Sequence, residues 1–172
     1  MSQNKVQFQK GVSLPEFMGL YGTEEQCFNA LFEWRWPDGF ICPKCGGKKR
    51  CQLNERKLQQ CNACHHQTSV TAGTIFESTK LPLTKWFLGL YFITQDKKGI
   101  SALELMRRLG ISYKAAWRMK QKLMQVMMER EQSKMLSGLI EIDDAYLGGE
   151  KPGKPGRGAA GKTPFVAAVQ PL

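Results

Sequence analysis

The sequence predicts an α+β chain made of several small modules rather than one large domain. Three observations predict it. Two Cys-x-x-Cys pairs, Cys42/Cys45 and Cys61/Cys64, stand fifteen residues apart around a hairpin-like stretch. Residues 83–135 carry three amphipathic helical segments joined by short turns. From Leu139 to Leu147 the pattern changes to that of a strand, with acidic residues set among apolar ones. The chain divides accordingly into a disordered lead-in (1–12), an N-terminal helix with a small metal-held β unit (13–82), a helical block (83–135) and a β-hairpin (136–172).

The first helix begins after Thr23. Thr23 is the N-cap and Gln26 its capping-box partner, and Glu24 and Glu25 suit the positive helix end. Cys27, Leu31 and Trp34 recur on one face and predict packing against the β unit. Trp34 and Trp36 read as packing residues, with a functional role as the alternative. Pro37-Asp38-Gly39 ends the element in a turn.

The two cysteine pairs follow. Their spacing is that of a four-thiolate zinc site, with Cys42, Cys45, Cys61 and Cys64 as ligands. Arg50 to Leu53, a turn at Asn54-Glu55, and Lys57 to Gln60 make the hairpin between them, and Gln67 to Val70 a third strand: a zinc ribbon. So small a unit buries too little apolar surface to fold alone. Structural zinc contributes roughly 10–16 kcal/mol in small peptides. A redox pair fits one Cys-x-x-Cys but not two at this spacing. A disulfide framework needs a secreted chain, and the polar N-terminus lacks a signal-peptide core. Cys27 reads as a small buried hydrophobe, Cys51 receives no role, and His65 and His66 read as surface residues.

Gly73-Thr74-Ile75-Phe76 and Leu81-Pro82-Leu83 lead into the helical block. Its first helix, with Thr84 as N-cap, holds Trp86, Phe87, Leu90, Tyr91 and Ile93 and ends at Lys97-Lys98-Gly99. The second starts after Ser101. Gly110-Ile111-Ser112 is a short turn, and Ser112 caps the third. A short helix, a turn opening in Gly and a longer helix form a helix-turn-helix signature. Ala116, Met119, Leu123 and Val126 face its core; Lys114, Arg118 and Gln121 lie opposite. In such a motif this outer face enters the major groove. Arg118 and Gln121 suit base edges, and Lys114 and Lys122 suit phosphates. Tyr113 is placed with this DNA-binding set. Tyr113 and Trp117 suit stacking, backbone contact or packing. A three-helix bundle with a solvated basic face is the bland alternative. The methionines from Met106 to Met135 read as core filling, with recruitment of a second copy of the chain, a homo-oligomer, as the weaker option.

Charge supports a polyanionic partner. The net charge is +10. Residues 42–82 hold 7 basic against 2 acidic groups, and residues 83–135 hold 11 against 4, whereas the two flanking segments are acidic or neutral. Double-stranded DNA is the partner that this distribution suggests. The longest apolar run, Trp86 to Ile93, is too short for a membrane span, so a cytoplasmic, nucleoid-associated protein is expected.

The order of motifs resembles a known family. The pieces are Arg35-Trp36-Pro37-Asp38-Gly39 before Cys42-Pro43-x-Cys45, then Gly73-Thr74-Ile75-Phe76 and Lys97-Lys98-Gly99-Ile100-Ser101. They continue with Ser112-Tyr113-Lys114-x-Ala116-Trp117-Arg118, Glu141-Ile142-Asp143 before Tyr146-x-Gly148-Gly149, and Arg157-Gly158-Ala159-x-Gly161-Lys162. In this order they resemble the zinc-ribbon transposases of bacterial insertion sequences, the group related to Merlin elements. The resemblance covers about residues 15 to 170.

The resemblance implies DNA transposition: recognition of the element's terminal inverted repeats, then cleavage and strand transfer in a DDE domain of ribonuclease-H-like fold. Such a site uses two Mg²⁺ or Mn²⁺ ions. Asp143 matches its first catalytic aspartate; Asp144 is not counted as a ligand. After Asp144 the one further acid is Glu150, and a lone hairpin is marginal in water. The expectation is therefore a DDE domain that is incomplete in these residues, a chain truncated at its C-terminus and inactive alone. A non-catalytic zinc-ribbon and helix-turn-helix regulator or competitor of transposition is the alternative. A protein-interaction module is the third reading.

Overall fold

Ser13 opens a helix that the sequence reading did not anticipate, α1 (Leu14–Tyr21). The Ser13 hydroxyl accepts from the Glu16 amide, and the Glu16 carboxylate accepts from the Ser13 amide at 2.8 Å. This is a capping box, with Pro15 placed where the helix needs no amide donor. The computed structural model describes residues 11–53, 57–96, 99–132, 135–147 and 162–170. Residues 1–10 of the lead-in expected over 1–12, the turn at Asn54-Glu55, the helix end at Lys97-Lys98 and the basic glycine-rich loop over 148–161 lie outside them.

The second helix, α2 (Glu24–Arg35), carries the expected Thr23–Gln26 box. Cys27 and Leu31 are buried, but Trp34 is 60% exposed. It lies at the rim, where one indole face stacks on Phe87 at 5.5 Å and the other meets solvent. Trp36, just beyond the helix, is buried between Phe32 and Phe40 instead.

Three antiparallel strands follow: β1 (Arg50–Leu53), β2 (Leu58–Cys61) and β3 (Gln67–Ser69). They lie in that order, with Arg50 opposite Cys61 and Leu58 opposite Ser69. Two arginines fasten α2 to this sheet and to the segment that follows it. The Arg50 guanidinium stands 4.4 Å over the Phe32 ring and donates to the Gln59 side-chain oxygen. Arg35 donates to the carbonyls of Val70, at 3.0 Å, and Ala72.

The next helix, α3 (Leu83–Gln95), corrects the expected cap. Pro82 occupies the cap position, and Thr84 lies inside the helix. A proline offers no side-chain acceptor, so the cap comes from elsewhere. The Glu24 carboxylate on α2 accepts from the Thr84 amide at 2.9 Å and from its hydroxyl at 3.0 Å. A carboxylate there also suits the positive helix end.

Ser101 caps α4 (Ala102–Leu109) as expected. Gly110 ends it at φ +61, a left-handed conformation that suits glycine. The Ser112 hydroxyl then accepts from Ala115 at the start of α5 (Tyr113–Gln132). The Lys85 ammonium donates to the Leu109 carbonyl at 2.6 Å, where the C-terminal end of α4 favours a cation. At Gly89 the backbone of α3 comes so close to α5 that a Cβ would lie 2.5 Å from the Met119 sulfur. Ala116, Met119 and Leu123 are buried. Val126, expected with them, is 39% exposed, because the last turns of α5 extend past the core.

One core joins ribbon and helices within Gly11–Met128, running from Phe17, Cys27 and Trp36 to Phe87, Leu105 and Met119. A second unit comprises the chain from Glu129 on, with β4 (Glu141–Leu147) and β5 (Thr163–Val169) as an antiparallel pair. The strand starts at Glu141, two residues later than its pattern suggested. The pair exposes Ile142, Leu147, Val166 and Val169. No helix among the described residues is long and apolar enough to cross a membrane.

Candidate metal centre and nucleic-acid interface

Two backbone turns of the same design position the four cysteines. In the first, the Gly46 amide donates to the Cys42 carbonyl and the Cys42 amide to the Gly47 carbonyl. In the second, the His65 amide donates to the Cys61 carbonyl and the Cys61 amide to the His66 carbonyl. The fourth residue after each leading cysteine has positive φ, +73 at Gly46 and +56 at His65. This repeat explains why a glycine follows the first Cys-x-x-Cys. It also gives His65 a backbone role and leaves it exposed, off the ligand set.

The sulfurs converge. Cys42 and Cys64 lie 3.6 Å apart, as do Cys45 and Cys61, and all four fall within 4.8 Å of one another. Thiolates about 2.3 Å from a tetrahedral zinc stand about 3.8 Å apart, so the set fits that ion. A Cβ at Gly47 would lie 3.2 Å from the Cys61 sulfur and 3.3 Å from that of Cys45, so a side chain there would crowd the sulfurs.

The four thiols shift one another's ionisation. The Cys64 amide, opposed by burial and helped by the Ala63 amide, draws Cys61 down to about 7. Burial raises Cys42, but the amides of Cys45 and Lys44 leave it lowered overall. The Gly47 amide acts to lower Cys45, yet bonds to the Cys64 and Cys61 sulfurs push it up to about 12. The cluster thus favours some thiolates and forces a neighbour to keep its proton. A dication removes that conflict by allowing all four to ionise.

Cys27 is fully buried, its sulfur donates to the Tyr21 carbonyl at 3.3 Å, and burial raises its thiol to about 11. It is the small apolar core residue expected. Cys51 is exposed on β1 and outside the metal cluster.

The residues expected to face DNA share α5. Tyr113, Lys114, Arg118, Gln121 and Lys122 are all exposed. The side chains of Lys114 and Arg118 have no hydrogen bond or ion pair among the described residues. Lys122 is different: its ammonium donates to the Ile75 carbonyl at 3.1 Å and stands 6.0 Å from the Trp86 ring. Arg35, Arg50 and Lys85 likewise serve the fold. Part of the positive excess is therefore structural, which composition did not reveal. Asp143 lies on β4 opposite Ala167, and strand alternation puts it on one face with Glu141, with Asp144 on the other.

Residues 22–67, spanning α2 and the four-cysteine sheet, match the family model of the transposase zinc-ribbon domain, of the IS1595 type. The chain is also 29% identical over 128 residues to an uncharacterised protein in transposable element ISH50 of Halobacterium salinarum. That similarity covers 73% of this chain and 42% of the relative, so the chain spans less than half the relative's length. No solved structure matches the chain. The chain thus carries a transposase-type zinc ribbon and is related to an insertion-element protein.

Proposed function

We propose that these residues are the DNA-recognising part of an insertion-sequence transposase. The observation that carries this reading is the four-thiolate ribbon over 22–67, matched to a transposase domain and sharing one core with α5. α4, the turn at Gly110–Ser112 and α5 act as a helix-turn-helix that binds the element's terminal inverted repeats. Lys114 contacts phosphate, Arg118 and Gln121 reach base edges, and Tyr113 and Lys122 flank them. Zinc holds the ribbon in shape and takes no part in chemistry.

Cleavage and strand transfer belong to a DDE site of which Asp143 is the first acid. Two metal ions need several carboxylates, and Asp143 shares its strand face with Glu141 alone among the described acids. The 172 residues by themselves therefore turn over no DNA, and strand transfer by the purified chain in Mg²⁺ or Mn²⁺ contradicts this. A non-catalytic regulator or competitor that occupies the element's ends is the second reading, and it shares the same DNA-binding premise.

Selection from a pool of random duplexes tests the shared premise. A single motif is expected to be enriched. Its affinity should fall by about 0.9 log units per log unit of salt for each phosphate contacted. Arg118→Ala should cost roughly 1–3 kcal/mol and relax one position of the motif. Unchanged affinity and preference in that variant contradict the base-reading role.

A further inference from the structure

The outer face of α5 is not a free ridge along its whole length. Beside Arg118, Gln121 and Lys122 the chain from Glu77 to Leu81 stands as a second wall, and the two enclose a cleft of about 720 Å³. Trp86 and Met119, both buried, form its floor. Trp117, 48% exposed, stands on the α5 rim, and Lys80 stands on the opposite wall.

The facing wall is built rather than draped. The Thr79 hydroxyl accepts from the Trp86 indole at 2.8 Å and from the Leu81 amide at 3.1 Å. Ser78 holds φ +57, a conformation uncommon outside glycine and frequent at ligand clamps. Glu77 is the acid in the lining, and its carboxylate is drawn aside to accept from the Gly73 amide at 3.2 Å. Lys122, fixed on the Ile75 carbonyl, adds a positive charge beside the Trp86 ring. The side chains of Lys80 and Arg118 have no hydrogen bond or ion pair among the described residues.

The cleft flanks the groove-reading face of α5 and is itself too small to receive a duplex. Its volume is that of a small-ligand pocket. An exposed indole beside unpaired cations is the pairing that holds single-stranded nucleic acid: the ring stacks on a base and the cations hold the backbone. We propose that this cleft takes one unpaired nucleotide of a DNA strand, its base on Trp117 and its phosphate on Lys80. The proposal rests on the DNA-binding reading above and adds that the protein distinguishes an opened or frayed duplex from a closed one.

Fluorescence anisotropy on the zinc-loaded chain tests it, with one duplex presented blunt and with a short thymidine overhang of either polarity. The ratio of the two dissociation constants is the readout. The overhang is expected to bind about tenfold more tightly. Trp117→Ala should bring the ratio near one, Trp117→Phe should keep most of it, and Lys80→Gln should lower it. A wild-type ratio near one, with the blunt duplex still bound, overturns the cleft and leaves the DNA-binding reading standing. A ratio that survives Trp117→Ala also overturns it. Failure of both duplexes to bind at low salt overturns the cleft and the DNA-binding reading together.

Discussion

Cys61→Ser abolishes zinc binding and takes the ribbon's fold with it. Cys61 ends β2, pairs with Arg50 across the sheet and is fully buried, so it is both ligand and core. Structural zinc contributes roughly 10–16 kcal/mol, as much as a whole domain's net stability of about 5–15 kcal/mol. The loss cannot stay local. Trp36, Phe40, Cys42 and Cys61 belong to the same core as Trp86 and Phe87, so α3 to α5 lose support on one side. Zinc content should fall to none and the cooperative thermal transition should disappear, and a strong chelator should do the same to the wild type. A Cys61→Ser chain that keeps its zinc and melts normally contradicts the four-thiolate site.

Phe87→Ala should be the most damaging change away from the metal. The ring is 2% exposed and lies between Tyr21 of α1 at 5.2 Å, Trp34 of α2 at 5.5 Å and Phe76 at 6.3 Å. Removing it opens a cavity where three elements and the segment after the ribbon meet. Truncations of this kind cost about 3–5 kcal/mol. Trp34→Ala removes the ring that covers Phe87 from outside, but Trp34 is 60% exposed and its neighbours can relax into solvent, so its cost should be several-fold smaller. Denaturant unfolding of the two variants measures the difference. Equal losses contradict the placement of the core at Phe87.

What the sequence made legible was local. Cysteine spacing gave the ribbon and its strands. Thr23, Ser101, Gly110 and Ser112 marked helix ends because each acts on amides or carbonyls within a few residues. Signals that act across the chain stayed hidden. α3 is capped by Glu24, sixty residues earlier. α1 has a capping box at Ser13, but it is short and apolar on most sides, with Phe17 buried and Leu14, Met18 and Leu20 exposed, so periodicity singled out no packing face. It is held by Phe17 against Tyr91 of α3 at 4.7 Å. Periodicity placed Trp34 and Val126 on the correct faces but could not show where the neighbouring element stops. Charge counting could not separate Lys114 and Arg118, whose side chains make no hydrogen bond or ion pair among the described residues, from Arg35, Arg50 and Lys85, which hold the fold. The cleft beside α5 needed the path of residues 77–81, which no motif encodes.

The central claim is a zinc ion in a cage of four thiolates that organises the whole unit from Gly11 to Met128. X-ray absorption at the zinc edge, on protein purified without added metal, tests it most directly. The account predicts one zinc per chain with a single shell of four sulfurs at about 2.3 Å. A shell containing nitrogen or oxygen, or a folded chain without zinc, would contradict it.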